Sequence, residues 1–195
     1  MTRDDPSAVT GDEAGEVTGA EAGITARLRI EPLRADHAAP LFDALSDPRI
    51  YAYIPDERHA SVDSLARRYA FLECGAPEGV EEVWLNWALQ RIDTGAYIGT
   101  LQATVVPQSR AFIGYVLTPS AWGRGFATEA CRWLVTALNA HFAVDEILAT
   151  VDTRNMASVR VLERLGFARI GTSPAEIRGE VTTDFRYRLG APPAA

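Results

Sequence analysis

Cysteine is scarce in this chain of 195 residues: there are two, Cys74 and Cys131, and they form no CxxC pair. Cys131 falls on the apolar side of a helical stretch, so a buried thiol is expected over a disulfide or a nucleophile. The three histidines, His37, His59 and His141, have no ligand-like spacing, and no metal is expected. No apolar run approaches the roughly 18 residues that a membrane span needs. The opening stretch has neither a basic n-region nor an apolar h-region, so no secretory signal is read. A cytoplasmic protein with no membrane partner is the expectation. An excess of positive charge is missing as well: the formal charge is −7, which argues against a nucleic-acid surface.

What acidity there is collects at the start. Residues 1–23 hold one arginine, Arg3, against six acids, a local balance of −5 that leaves the rest near −2. Without aromatics, and rich in Gly, Ala, Glu and Thr, this stretch cannot bury enough surface to order itself. Residues 1–23 are therefore expected to be a disordered acidic tail, and residues 191–195 a loose C-terminal tail. An apolar share of 47% suits a single cored domain over residues 24–190.

Within that domain the hydrophobic period changes repeatedly. Ala26, Leu28 and Ile30 alternate with Arg27, Arg29 and Glu31, the pattern of a half-buried strand. Asp36 opens a helix that Asp47-Pro48 closes, and Ser61 is set to cap a second helix with Leu65, Tyr69 and Leu72 along one side. "EVWLNWALQRI" and "AYIGTLQATVV" flank the turn residues "DTG", and "RAFIGYVLT" is a further strand ended by Pro119. Ala127, Ala130, Cys131, Leu134, Leu138 and Phe142 then follow helical spacing. "DEILATV" is a short strand, and a helix runs from Asn155 to its stop at Gly166. "FARIGTS" and "TDFRYRLG" finish the series. The order β-α-α-β-β-β-α-β-α-β-β implies a mixed α/β (α+β) domain with helices on both sides of one sheet.

Two stretches carry chemistry. "WGRGFATEA", Trp122 to Ala130, strips side chains from a strand-to-helix corner and leaves one cation there. Such a corner is either a tight turn or an anion site built from bare helix N–H groups. It is not a P-loop, which needs Lys-Ser/Thr where Phe126-Ala127 stand. Nor is it a dinucleotide fingerprint, whose third small residue is Thr128 here. The second stretch, "TRNMASVRVLERLGF", puts Asn155 and Ser158 in one helical turn. Alone, that pair reads equally as an N-cap with an ordinary serine after it.

Together, one helix and one strand apart, the two stretches resemble the GCN5-related N-acetyltransferase (GNAT) superfamily. Its phosphate-binding pattern, Gln/Arg-x-x-Gly-x-Gly/Ala, falls on Trp122 to Ala127, with Gly125 and Ala127 at the small positions. Its later Asn-x-x-Ser…Gly-Phe signature falls on Asn155, Ser158, Gly166 and Phe167. The chain looks most like the ribosomal-protein-alanine N-acetyltransferase branch, through "LSDPRIYAYIP" and "IGYVLTPSAWGRGFATEA" as well, over about residues 25–189. Trp122 stands where the general pattern has Gln or Arg. Phe112 stands where an acidic residue often precedes the Ile-Gly-Tyr of the fourth strand.

The resemblance implies a GNAT fold, with a central mixed, mostly antiparallel sheet of about seven strands. It implies acetyl-CoA as donor, with coenzyme A as product. Trp122, Gly123, Arg124, Gly125, Phe126, Ala127 and Thr128 would hold its pyrophosphate. Val116, Leu117 and Thr118 would bond the pantetheine arm as though it were another strand, with Asn155 on the arm's other side. Ser158 would give its proton to the departing sulfur. Glu176 resembles a carboxylate of the branch after a one-residue gap, and reads equally as a loop acid. An acceptor α-amine of pKa about 8 is roughly a tenth neutral at pH 7, whereas a lysine near 10.4 must overcome roughly 4.6 kcal/mol. A protein N-terminal α-amine or a small-molecule amine is thus the expected acceptor, lined by Tyr51, Tyr53, Glu57 and His59, with transfer direct in a ternary complex. The alternative is a module that senses acyl-CoA or a partner without turnover. A monomer or homodimer fits either.

Overall fold

A computed structural model describes residues 20–190; residues 1–19 and 191–195, assigned above to tails, lie outside the described residues. β1 (Gly23–Ile24) and β2 (Leu28–Pro32) come first. A 3-10 turn at Ala35–His37 runs into α1 (Ala38–Phe42), and another, Pro48–Tyr53, precedes α2 (Val62–Glu73). β3 (Val83–Arg91), β4 (Tyr97–Val106) and β5 (Arg110–Leu117) form a meander. α3 (Phe126–Phe142), β6 (Glu146–Asp152), α4 (Met156–Arg164), β7 (Ala168–Ile177) and β8 (Glu180–Gly190) complete the chain. The strands make one sheet in the order β1-β2-β3-β4-β5-β6-β8-β7. Only the β5–β6 pair is parallel. The element order is the expected one, with two-residue β1 as an eighth strand.

α3 and α4 cover one face, where Ala130, Leu134, Leu138 and Leu162 pack with Leu28, Leu85, Leu101 and Ala111. α1 and α2 cover the other, where Leu41, Leu65 and Tyr69 meet Ala88 and Val116. Each large side chain so buried contributes about 1.5–3 kcal/mol, which fixes the helices on the sheet. Cys131 is buried in this core as expected, while Cys74 is exposed.

Local chemistry moves several boundaries. Ala26 is exposed, because Thr25 turns the chain: its amide donates to the Leu28 carbonyl (2.8 Å) and its hydroxyl accepts from the Leu28 amide (3.0 Å). α1 is shorter than its pattern, since Ser46 Oγ takes the Phe42 carbonyl at 2.7 Å ahead of Asp47-Pro48. β7 runs on through Pro174 to Ile177, a course open to proline because β7 is the sheet's edge. Residues 20–23, grouped above with the tail, dock on the domain. The Glu21 carbonyl accepts from Trp87 Nε1 at 2.7 Å, and Ala20 packs on the core.

One irregularity organises the molecule. β5 pairs with β6 over three positions only, Arg110↔Glu146 to Phe112↔Leu148. β6 then follows β8 as far as Asp152↔Asp184, and β5 stays with β4 as far as Gly99↔Leu117. The two strands part after Phe112, leaving a gap in the middle of the sheet.

Candidate active site

The gap exposes main-chain groups in a defined pattern. Thr118 donates its amide to the Ile98 carbonyl at 2.8 Å. Alternation along the antiparallel ladder then turns the N–H and C=O groups of Val116 toward β4 and those of Tyr115 and Leu117 toward the gap. Of the three residues expected to bond an extended arm, only Leu117 faces the gap with its main chain; Val116 and Thr118 are engaged with β4. The Leu117 carbonyl is itself taken by Trp122 Nε1 at 2.7 Å. Tyr115 thus joins Leu117 as a gap-facing residue that the strand pattern alone did not single out.

At the end of β5 the chain turns through Pro119–Ala121 and enters α3. Gly125 is the N-cap, left-handed at φ 81°, and among the described residues no side chain caps the helix. Gly123 is also left-handed, at φ 68°, a conformation that glycine adopts without steric cost. Among the described residues, none of the amides from Gly123 to Thr128 makes a well-formed hydrogen bond to a protein acceptor. These are the orphan donors of a helix start, with the positive end of the dipole behind them.

Cations gather at the same corner. The buried Phe126 ring lies under three guanidiniums: Arg27 at 4.4 Å, Arg91 at 5.4 Å and Arg124 at 5.5 Å. Arg27 is paired with Glu129 and Arg91 with Asp93. Among the described residues, Arg124 has no carboxylate partner. Trp122 is 45% exposed, and Arg49 lies 6.0 Å from its ring. Ala127 and Thr128 are half-buried on the first turn of α3.

Across the gap stands α4. Asn155 is its N-cap, and the Asn155 carboxamide oxygen accepts the Ser158 amide at 3.1 Å. Ser158 is half-buried, and its hydroxyl makes no hydrogen bond among the described residues. Its carbonyl faces β5, where the Tyr115 hydroxyl lies 3.4 Å away. Burial raises the Tyr115 phenol well above its usual range.

The sheet's other face carries acid. Ile147, Ala149, Val151, Phe185 and Tyr187 point into the core under α3 and α4, so alternation puts Asp152 and Asp184 side by side on the opposite face. Arg154 clasps Asp152 through its amide (2.8 Å), Nε (2.9 Å) and Nη2 (2.9 Å). That hydrogen bonding outweighs burial and keeps the Asp152 carboxyl below its ordinary value. Asp184 moves upward, through desolvation and then the neighbouring negative charge of Asp152. Neither acid stood out in the sequence, because their meeting depends on β6–β8 register.

The 3-10 turn at Pro48–Tyr53 meets the β7–β8 tip and Arg154. The Tyr51 carbonyl accepts from Arg178 at the β7–β8 tip (2.7 Å), and the Tyr53 ring lies 5.8 Å from the Arg154 guanidinium. Tyr51 and Tyr53 are thus in contact with the β7–β8 tip and with the residue that clasps Asp152. His59 instead approaches Ser64 at the start of α2 (3.5 Å), and Glu57 is exposed. Glu176 is exposed on edge strand β7, opposite Val181. β8 separates it from β6, and adjacent strands lie about 4.8 Å apart. The structure thus does not bring Glu176 into contact with Ser158; the segment read as a loop is strand and holds it at the sheet's margin.

The acetyltransferase (GNAT) domain family matches residues 27–168. YoaA of Bacillus subtilis, named an N-acetyltransferase, is 28% identical over 170 residues, covering 86% of this chain and 89% of that protein. Among solved structures, RimL, a ribosomal L7/L12 alpha-N-protein acetyltransferase in complex with coenzyme A, superposes with a TM-score of 0.76. It is 16% identical, over 87% of this chain and 98% of that one. Mycobacterium smegmatis RimJ in complex with CoA-disulfide gives a TM-score of 0.74 at 22% identity, over 84% and 82%. At those identities the two structures speak for a shared fold.

Proposed function

The chain belongs to the GNAT acetyltransferase family, and we propose that within it the chain moves the acetyl group of acetyl-CoA directly to a primary amine, with both substrates bound. The observation that supports this reading is the row of amides from Gly123 to Thr128, unpartnered among the described residues, beside Arg124 and at the end of β5. Orphan donors and an unpaired guanidinium suit a pyrophosphate. The open main-chain groups of Tyr115 and the amide of Leu117 suit an extended arm carrying amides.

When bound, acetyl-CoA supplies a thioester, whose acyl carbon is activated toward an amine. The chain's own groups do the rest. The loop amides and Arg124 hold the diphosphate end, and the Tyr115 and Leu117 main chain aligns the arm. Asn155 keeps the first turn of α4 in register, and the Ser158 hydroxyl would release a proton toward the gap and recover one from solvent. On the far face Asp152 and Asp184 suit a cationic acceptor entering past Tyr51 and Tyr53. The branch likeness to RimL and RimJ favours a protein N-terminal α-amine, which needs no strong base.

Calorimetry with coenzyme A, followed by a thiol-release screen of N-terminal peptides, aminoglycosides, polyamines and amino acids, tests the reading. Coenzyme A should bind the parent and not Gly125→Glu, and at least one amine should release thiol. Binding without release under every amine would favour an acyl-CoA sensor instead.

A further inference from the structure

A residue far from the anion corner in sequence reaches into it. Glu129 Oε1 accepts from Thr25 Oγ1 at 2.6 Å and from the Arg27 amide at 2.9 Å, and Glu129 Oε2 accepts from Arg27 Nε at 2.6 Å. Arg27 Nη2 completes a forked ion pair with the same carboxylate, also at 2.6 Å. The guanidinium has one nitrogen left, and Nη1 donates to the Arg124 carbonyl at 2.9 Å. Its Cζ lies 4.4 Å from the centre of the Phe126 ring. Arg27 is therefore fixed on three sides, and one N–H of its last nitrogen is directed to the loop.

That bond has a consequence for the next peptide. In a trans peptide the C=O and N–H point in opposite directions. With the Arg124 carbonyl held toward Arg27, the Gly125 N–H must point away from it, into the open corner. Gly123 and Gly125 sit at φ 68° and 81° on either side of Arg124. Glycines so placed let the intervening peptide planes rotate at little cost. A rotated 124–125 peptide would turn a carbonyl oxygen, not an amide, toward an arriving phosphate.

We propose that Arg27, locked by Glu129 and Thr25, is a positioning residue of the coenzyme A site, holding the Arg124 carbonyl inward so that the Gly125 amide stays turned toward the diphosphate. This rests on the acetyl-CoA reading of the corner. The lock spans the turn before β2 and the first turn of α3. It explains why the loop keeps an anion-ready form without a side-chain cap of its own.

Calorimetry with coenzyme A on the parent, Arg27→Ala, Arg27→Lys and Glu129→Gln, with melting on the same samples, tests it. Arg27→Lys keeps a charge for Glu129 but cannot hold both the carboxylate and the Arg124 carbonyl. Each variant should bind coenzyme A roughly tenfold more weakly, the size of one charge-assisted hydrogen bond. The Lys and Gln variants should melt close to the parent. The Gly125 amide resonance should shift on adding coenzyme A in the parent and not in Arg27→Lys. Tighter binding by Glu129→Gln would mean that Arg27 is a phosphate ligand restrained by Glu129, and would overturn the proposal. Parent-like binding by Arg27→Lys would overturn it too, as would a lower melting point with unchanged affinity in Arg27→Ala. If the parent itself binds no coenzyme A, the acetyl-CoA reading falls first; if the parent binds and the variants bind equally, only the positioning role falls.

Discussion

Trp122 donates its indole N–H to the Leu117 carbonyl at 2.7 Å, tying the anion corner to the last residue of the strand that borders the gap. This gives the tryptophan a function in a position where the family's general pattern has Gln or Arg. It closes the corner onto β5 and satisfies a carbonyl left without a strand partner. Trp122→Phe keeps an aromatic ring near Arg49 and removes the indole donor. Stability should fall by about 0.5–1.5 kcal/mol, the net worth of one hydrogen bond, and coenzyme A affinity should fall with it. A melting curve and a calorimetric titration on one preparation check both.

Ser158 and Asn155 divide two roles that their spacing alone leaves merged. The cap is made by the Asn155 side chain and the Ser158 amide, so the Ser158 hydroxyl is spare. Ser158→Ala should lower kcat by roughly 10²–10⁴, the span for one acid–base group, with little change in coenzyme A affinity or melting point. Asn155→Ala should instead cost about 1 kcal/mol of stability through the lost cap. A Ser158→Ala protein that turns over at the parental rate would remove the serine from the chemistry.

The order of elements was legible because each long element carries its own period. The α3 stripe through Ala130, Leu134 and Leu138 and the Ser61 cap of α2 (3.1 Å to the Ser64 amide) need no distant partner to be recognised. What escaped the sequence lies between elements. Tyr115 looks like any strand tyrosine until β5 and β6 part beside it. Asp152 and Asp184 lie more than thirty positions apart, and only antiparallel register makes them neighbours. The strand stretch read from the sequence stops at Ser173, yet an edge position accommodates Pro174 and β7 runs on to Ile177. Arg27 read as the polar side of a strand, and its reach to Glu129 and Arg124 depends on how the first strands pack against α3.

The segment before β2 supports the fold in a way its composition does not suggest. Trp87 is 2% exposed, and its indole donates to the Glu21 carbonyl at 2.7 Å; the Glu21 carboxylate also lies 3.4 Å from His141 Nε2. Removing residues 1–23 strips the acceptor from a buried donor, a loss of about 1–3 kcal/mol. For a domain of this size that is a drop of several degrees in melting temperature, at roughly 2–4 °C per kcal/mol. A chain beginning at Ala20 retains the contact and should melt above the shorter one. Equal melting of the two would show the strap to be dispensable.

Asp152 and Asp184 should make opposite contributions to stability as pH changes. The Asp152 carboxyl is held low by its hydrogen bonds from Arg154, against the opposing effect of burial. Its contribution is present above the ordinary carboxylate range near 3.9 and is lost as pH falls through the lowered folded value. The Asp184 carboxyl is raised by desolvation and by the charge of Asp152. The fold therefore favours its protonated form, and that contribution is present at low pH and is lost as pH rises through the raised folded value. Asp184→Asn removes the second negative charge while keeping the shape. It should raise the melting temperature at pH 7 and give no gain near pH 3, where the parent's carboxyl is already neutral. Asp152→Asn should lower the melting temperature at pH 7, because it leaves Arg154 without its clasp. Melting curves of both variants from pH 3 to 8 check the signs. An Asp184→Asn protein that is less stable than the parent at pH 7 would mean that the carboxylate has a cationic partner and is not repelled by its neighbour.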